Sequence, residues 1–192
     1  PYTTFWIKHD IMPFERFRQS KDEEVIASAM AIVLMGKDIR INANTLNLLY
    51  RPDTEECNAV TEIVNKFGKD NLELYAKEVI DQIDNIFDSV NSTFSKYLYP
   101  KRNSAAKDYS FITLFCALYQ LNREGYFIEN NKKIACLLKN HFDSTFGLLS
   151  EKADHDNCVK TMDVLYSLLK QNMVRKMRRN KTSDEKLLEK LL

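Results

Sequence analysis

Glycine and proline are scarce in this chain, four residues of each in 192, and the shortage excludes the dense tight turns that a β-sandwich or barrel needs. Long apolar runs are missing too. No stretch reaches the roughly 18 apolar residues of a membrane span, and the opening PYTTFWIKHD lacks the basic-then-apolar order of a secretory signal. The cysteines Cys57, Cys116, Cys136 and Cys158 lie too far apart for a CxxC pair. Each falls inside a helical pattern as a small apolar residue would, so reduced thiols and a cytoplasmic protein are expected. Histidine is also rare: His9, His141 and His155 are the only three, and none has an arginine within the six residues before it. That excludes a helical ribonuclease built on an arginine and a histidine a few residues apart on one helix. GxxxxGK[ST], GxGxxG and HExxH are absent, which leaves nucleotide binding and metalloprotease chemistry without their minimal parts. No Ser, Thr or Cys stands in a recognisable nucleophile setting.

What is present is an ordinary globular composition, 44% hydrophobic and 29% charged, with a net charge of +1. A chain of this length buries roughly 70% of its unfolded surface, enough for a core without metals or disulfides. The stretch FRQSKDEEVIASAMAIVLMG, residues 17–36, shows how the core is built. Ser20 and Glu23 have capping-box spacing, and Asp22, Glu23 and Glu24 suit the positive end of a helix dipole. Gly36 supplies the stop. Between these signals only Ser28 is polar from Val25 to Met35, and a helix apolar all round belongs in the middle of a bundle.

The same reading continues down the chain. Asn42 or Asn44 begins a short helix that ends before Pro52, and Thr54 caps a segment closed by Gly68. Asp70 begins the longest helix, expected to run toward Pro100 with Leu72, Val79, Ile83, Phe87, Val90 and Phe94 as its apolar stripe. Asp81, Asp84 and Asp88 share the opposite face and read as a solvated surface, because a magnesium site also needs a cleft and ligands from a second element. A second strongly apolar helix covers residues 108–124. Asn130 or Asn131 opens another, residues 143–156 form an irregular connection, and Asp154 or Asp156 caps a helix running past Arg175. The fold is therefore all-α, a bundle of about seven helices with the two apolar helices central. Residues 1–176 form the helical domain, followed over 177–192 by a basic linker and a short helix with Leu187, Leu188, Leu191 and Leu192.

Little in this pattern carries chemistry. His141, His155 and Cys158 have metal-ligand side chains but lack the second ligand pair of a structural zinc site, so no metal, cofactor or catalytic residue is assigned. The basic segment KQNMVRKMRRNK, residues 170–181, holds six cations and no acid. Arg175, Lys176, Arg178, Arg179 and Lys181 are placed around the end of a helix, where they suit a phosphate backbone by charge alone. The same cations also complement a helix C-terminal dipole. Tyr97, Tyr99, Lys101 and Arg102 form a second aromatic and basic group.

The succession RFRQSKDEEVIASAMAIVLMGKDIRINANTLNLLY, a polar amphipathic helix pair, and then KDYSFITLFCALYQL resembles the C-terminal helical region of the bacterial ParB/sulfiredoxin-like NTPase family of type IV restriction and anti-phage defence proteins. The matching features are the charged group Lys21 to Glu24 before an apolar helix, the helix end Leu49-Tyr50, the long amphipathic helix, and the aromatic helix holding Phe111 to Phe115. The likeness covers residues 10 to about 175. It implies a helical, non-catalytic part of a DNA-acting protein, since that family's NTPase and HNH nuclease residues have no counterpart here. Opening on Pro1 rather than Met, the sequence reads as a piece of a longer protein. The expected partners are DNA and a neighbouring domain, partner protein or second copy meeting the C-terminal helix. The alternative is a helical protein-interaction or oligomerisation module with no nucleic-acid role.

Overall fold

Five helices start from the same local device. Asn42, Thr54, Thr93, Asn130 and Asp154 each sit in extended backbone just ahead of a helix, and each side-chain oxygen accepts from the amide three residues on. Satisfying an otherwise orphaned N–H in this way stabilises a helix by about 1 kcal/mol. The computed structural model describes residues 3–12, 21–40, 42–99 and 106–175. The Ser20 half of the expected capping box lies outside them.

Among the described residues there are ten helices and one short antiparallel pair, confirming the all-α class. The helices are α1 (Thr3–His9), α2 (Lys21–Met35), α3 (Ala43–Tyr50), α4 (Glu55–Phe67), α5 (Lys69–Asp88), α6 (Phe94–Leu98), α7 (Ala106–Arg123), α8 (Asn131–Asn140), α9 (Phe146–Glu151) and α10 (His155–Lys170). Strand β1 (Tyr126–Phe127) pairs with β2 (Val174–Arg175), Tyr126 opposite Arg175 and Phe127 opposite Val174. None of the described helices is long and apolar enough to cross a membrane.

Helix α7 is the axis. Its residues Phe111 to Tyr119 are all buried, and α2, α5, α9 and α10 pack around it. An aromatic cluster locks one end: the Phe111 ring lies 4.7 Å from Trp6 and 5.8 Å from Phe5, while Phe94 lies 5.3 Å from Phe87 and 6.4 Å from Phe146. Helix α2 buries one face, Val25, Ser28, Ala29, Ala31 and Ile32, and leaves Ile26, Met30 and Val33 half-covered. It is thus a flank of the axis, less enclosed than its composition suggests. Against it the Cys116 thiol approaches the Ala29 carbonyl at 3.6 Å.

Several boundaries differ from the sequence reading. The long helix stops at Asp88 and does not reach Pro100. Ser89 donates its hydroxyl to the Ile86 carbonyl, Asn91 adopts a left-handed φ of 49°, and Thr93 caps a new helix. Residues 143–156, read as irregular, contain α9, and the opening residues contain α1. Cys116 and Cys158 are buried as expected, but Cys57 is only partly covered and Cys136 is exposed. The polar amphipathic α4 buries none of its residues fully and packs on α2, α3 and α5 only at its edge of the bundle.

Candidate functional site

A small polar corner forms where α7 and α10 end. Beyond Arg123, the last residue of α7, Gly125 takes a φ of 84° and turns the backbone into β1. Helix α10 ends at Lys170, five residues short of Arg175, which sequence periodicity had placed on the same helix. The stop needs no glycine. The Asn172 side chain donates to the Leu168 carbonyl at 2.9 Å, the Asn172 and Met173 amides bond the Leu169 carbonyl, and Met173 turns inward and is buried. Val174 and Arg175 then run as β2 against β1. Arg175 is therefore on a strand edge and does not wrap a helix end.

Glu124 organises this corner. The Tyr166 hydroxyl donates to its carboxylate at 2.6 and 2.7 Å, the Lys170 ammonium donates to Oε2 at 3.0 Å, and Gln120 Nε2 donates to Oε1 at 3.2 Å. Lys170 also donates to the Tyr166 oxygen at 2.6 Å, so proton donors run in one direction from lysine to phenol to carboxylate. Burial pushes the Glu124 carboxyl up, but the hydrogen bonds from Tyr166 and Lys170 and the lysine charge leave it below the usual carboxylate range. Burial raises the Tyr166 phenol, with its bond to Glu124 adding to the rise. The bonds to Tyr166 and Glu124 raise Lys170 above the usual lysine range. The lysine charge is in effect spent internally.

Arg175 differs. It is exposed, its guanidinium carbon sits 5.9 Å from the Tyr126 ring centroid, and among the described residues no carboxylate lies within ion-pair distance of it. Lys170 lies 5.3 Å from the same ring. Tyr126 thus lies near two cations, Lys170, which is paired with Glu124, and Arg175, which has no carboxylate partner among the described residues. Lys176, Arg178, Arg179 and Lys181 lie outside the described residues. Glu124, Tyr126 and Tyr166 were not singled out from sequence; the signal available was the one-turn spacing of Tyr166 and Lys170.

The other sequence candidates resolve as structure. Tyr99 is buried and hydrogen-bonded to Ser110, so it belongs to the core, while Lys101 and Arg102 lie outside the described residues. The Cys158 thiol is pushed up to about 12 by burial. His155 is half-buried at the start of α10, His141 is an exposed helix cap, and no group of three or more potential metal ligands exists among the described residues. The aspartate face of α5 is a partial correction. Asp81 is exposed, but Asp84 and Asp88 are claimed by α1: Lys8 donates to Asp84 at 2.6 Å and pairs with Asp88 at 2.8 Å, and His9 Nε2 meets Asp84 Oδ1 at 2.8 Å.

A buried histidine bonded to a half-exposed aspartate invites comparison with a catalytic dyad, and the geometry excludes it. His9 Nδ1 already accepts the Phe94 backbone N–H at 3.1 Å. With Nε2–H donated to Asp84, the ring has no free lone pair with which to take a proton from a substrate.

No family model matches the chain, and no curated protein or solved structure matches it.

Proposed function

We propose that this chain is a non-catalytic helical module of a DNA-acting anti-phage defence or restriction protein, which supports a neighbouring NTPase or nuclease domain and contacts nucleic-acid phosphates along the edge beginning at Arg175. The observation that carries this reading is Arg175, exposed, 5.9 Å from the Tyr126 ring and with no carboxylate partner among the described residues, where the sequence begins its cation-rich stretch 176–181. A guanidinium held on a ring keeps its donors turned outward, and Arg suits phosphate better than Lys because of its planar fork. The DNA-acting part of the reading rests on the resemblance of the sequence's helix pattern to the defence family.

The test is fluorescence anisotropy of the full chain with a short labelled duplex across a salt series. Binding should weaken with salt along a slope of a few units, and charge reversal at Arg175, Arg178 and Arg179 should lower that slope by about one unit per lost phosphate contact. An unchanged slope in the triple variant rejects the phosphate edge.

A second reading, a helical interaction module without a nucleic-acid role, is favoured by one feature. Helix α4 has no fully buried residue, and Tyr50 and Leu74 beside it are 71% and 55% exposed. Light scattering on the full chain and on a Tyr50→Lys, Leu74→Lys double variant distinguishes it, because that reading requires an oligomer that falls to the monomer mass in the variant and no DNA binding.

A further inference from the structure

Helix α1 has seven residues, far too few to be stable alone, and it is held by the burial of Phe5 and Trp6 against Phe111 and by polar contacts concentrated at its last turn. Lys8 bridges Asp84 and Asp88 on α5. Asp10, at a left-handed φ of 48°, offers its carbonyl to the Lys107 ammonium of α7 at 3.0 Å and to the Ser95 hydroxyl of α6. Between these contacts sits His9, with no exposed surface, tucked against the Phe5 ring at 4.6 Å and the Phe87 ring at 5.9 Å. Its two nitrogens are assigned by their partners. Phe94 N–H can only donate, so Nδ1 must be bare; Asp84 can only accept, so Nε2 must carry the hydrogen. The site is shaped for one neutral tautomer.

Adding a proton to Nδ1 would set two N–H groups against each other at 3.1 Å, too close for a water to come between them. Either Phe94 loses its acceptor or the ring leaves. We propose that the His9, Asp84 and Phe94 junction is an acid-sensitive latch, which holds α1 on the bundle near neutral pH and releases it when the imidazole is protonated.

The charges facing His9 oppose one another. Asp84 and Asp88 on α5 favour the imidazolium, Lys8 on its own helix disfavours it, and the Lys107 and Asp10 pair lies one residue along. Burial is the largest influence and lowers the affinity of His9 for a proton, outweighing Asp84. A histidine held neutral when docked and free to titrate near its usual value of about 6.5 when released contributes docking stability that is complete above that pH and declines below it. Asp84 is pushed up by burial but is left below the usual carboxylate range by its bonds to Lys8 and His9. It therefore stays ionised throughout this window, and its own contribution is lost only in stronger acid. Release uncovers Trp6 and the Phe111 ring it covers, so the consequence is an apolar patch that acid exposes.

The chain contains a single tryptophan, Trp6, 1% exposed on α1, which makes the test direct. Trp6 emission and iodide quenching of the full chain are followed from about pH 7.5 to about pH 5, the range in which an imidazole titrates. Far-UV circular dichroism monitors the rest of the bundle. The latch requires a shift of emission to longer wavelength and a several-fold rise in quenching while most helicity is retained. In His9→Gln, whose amide offers one acceptor and one donor but takes up no proton, the shift should disappear. An unchanged Trp6 signal in the wild type, or the same acid response in His9→Gln, overturns the proposal. Should His9→Gln fail to fold, nitrogen NMR of the wild-type ring decides: Nε2–H at neutral pH with proton uptake concurrent with loss of α1 amide protection supports the latch, and a protonated ring on a protected α1 refutes it.

Discussion

Gln82 on α5 and Asn122 on α7 form a reciprocal amide pair: Gln82 Nε2 donates to Asn122 Oδ1 at 3.2 Å, and Asn122 Nδ2 donates back to Gln82 Oε1 at 3.1 Å. Asn122 is 7% exposed and Gln82 half-buried, so the Asn122 amide depends on its partner in place of water. Truncating one side leaves a donor and an acceptor unmet in a poorly hydrated place. Asn122→Ala should lower stability in urea denaturation by about 1–3 kcal/mol. The double replacement Gln82→Leu with Asn122→Leu should cost less than the sum of the single changes, because neither then strands a polar group; additive costs would show that the pair is not coupled.

The aromatic cluster predicts a sharp contrast between neighbouring positions. The Phe111 ring is fully buried and touches Phe5, Trp6 and Phe115. Phe111→Ala removes a large ring from a place that three other aromatics cannot easily refill, and should cost about 3–5 kcal/mol. Ile7, on the outer face of α1, is 53% exposed, and Ile7→Ala should fall within about 0.5 kcal/mol of the wild type. Chemical denaturation of both variants checks the ranking.

Much of this architecture was legible because it is written locally. Thr54, Gly36, Gly68 and the alternatives at 42/44, 130/131 and 154/156 each carry their signal within a few residues, and the structure selects Asn42, Asn130 and Asp154. The central place of α7 followed from its apolar residues on every side. What escaped was written across distance. The break after Asp88 has no glycine or proline to announce it and rests on Ser89 and Asn91, while strands of two residues are too short for alternation to register. The Glu124 corner joins residues 42 and 46 positions apart, and the His9 junction joins residues 75 and 85 apart. No periodicity connects such partners before the chain has folded.

The break after α5 supplies its own test. Asn91 is one of two described non-glycine residues with positive φ, at 49°. A β-branched side chain there meets the steric cost that keeps L-residues out of left-handed backbone, so Asn91→Val should destabilise by about 1–2 kcal/mol. Asn91→Gly should be close to neutral, since glycine accepts the conformation without strain but loses more entropy on folding. Equal effects from the two changes would mean that the turn is held by its flanking contacts and not by its conformation.

The Glu124 corner predicts pH effects at both ends of the scale. The folded carboxyl lies below its usual range, so its contribution is present above about pH 4.3 and is lost as acid protonates it. Tyr166 and Lys170 are both raised, so theirs is present below about pH 10 and fades as base removes those protons. Glu124→Gln should therefore flatten the acid arm of a plot of urea midpoint against pH. Tyr166→Phe, which removes the shared oxygen and leaves the ring, should weaken both arms together, because the phenol donates to the carboxylate and accepts from the lysine. If Tyr166→Phe changed the alkaline arm alone, the lysine and the carboxylate would be pairing directly at 3.0 Å without help from the phenol, and the one-way proton-donor chain would reduce to an ordinary surface ion pair.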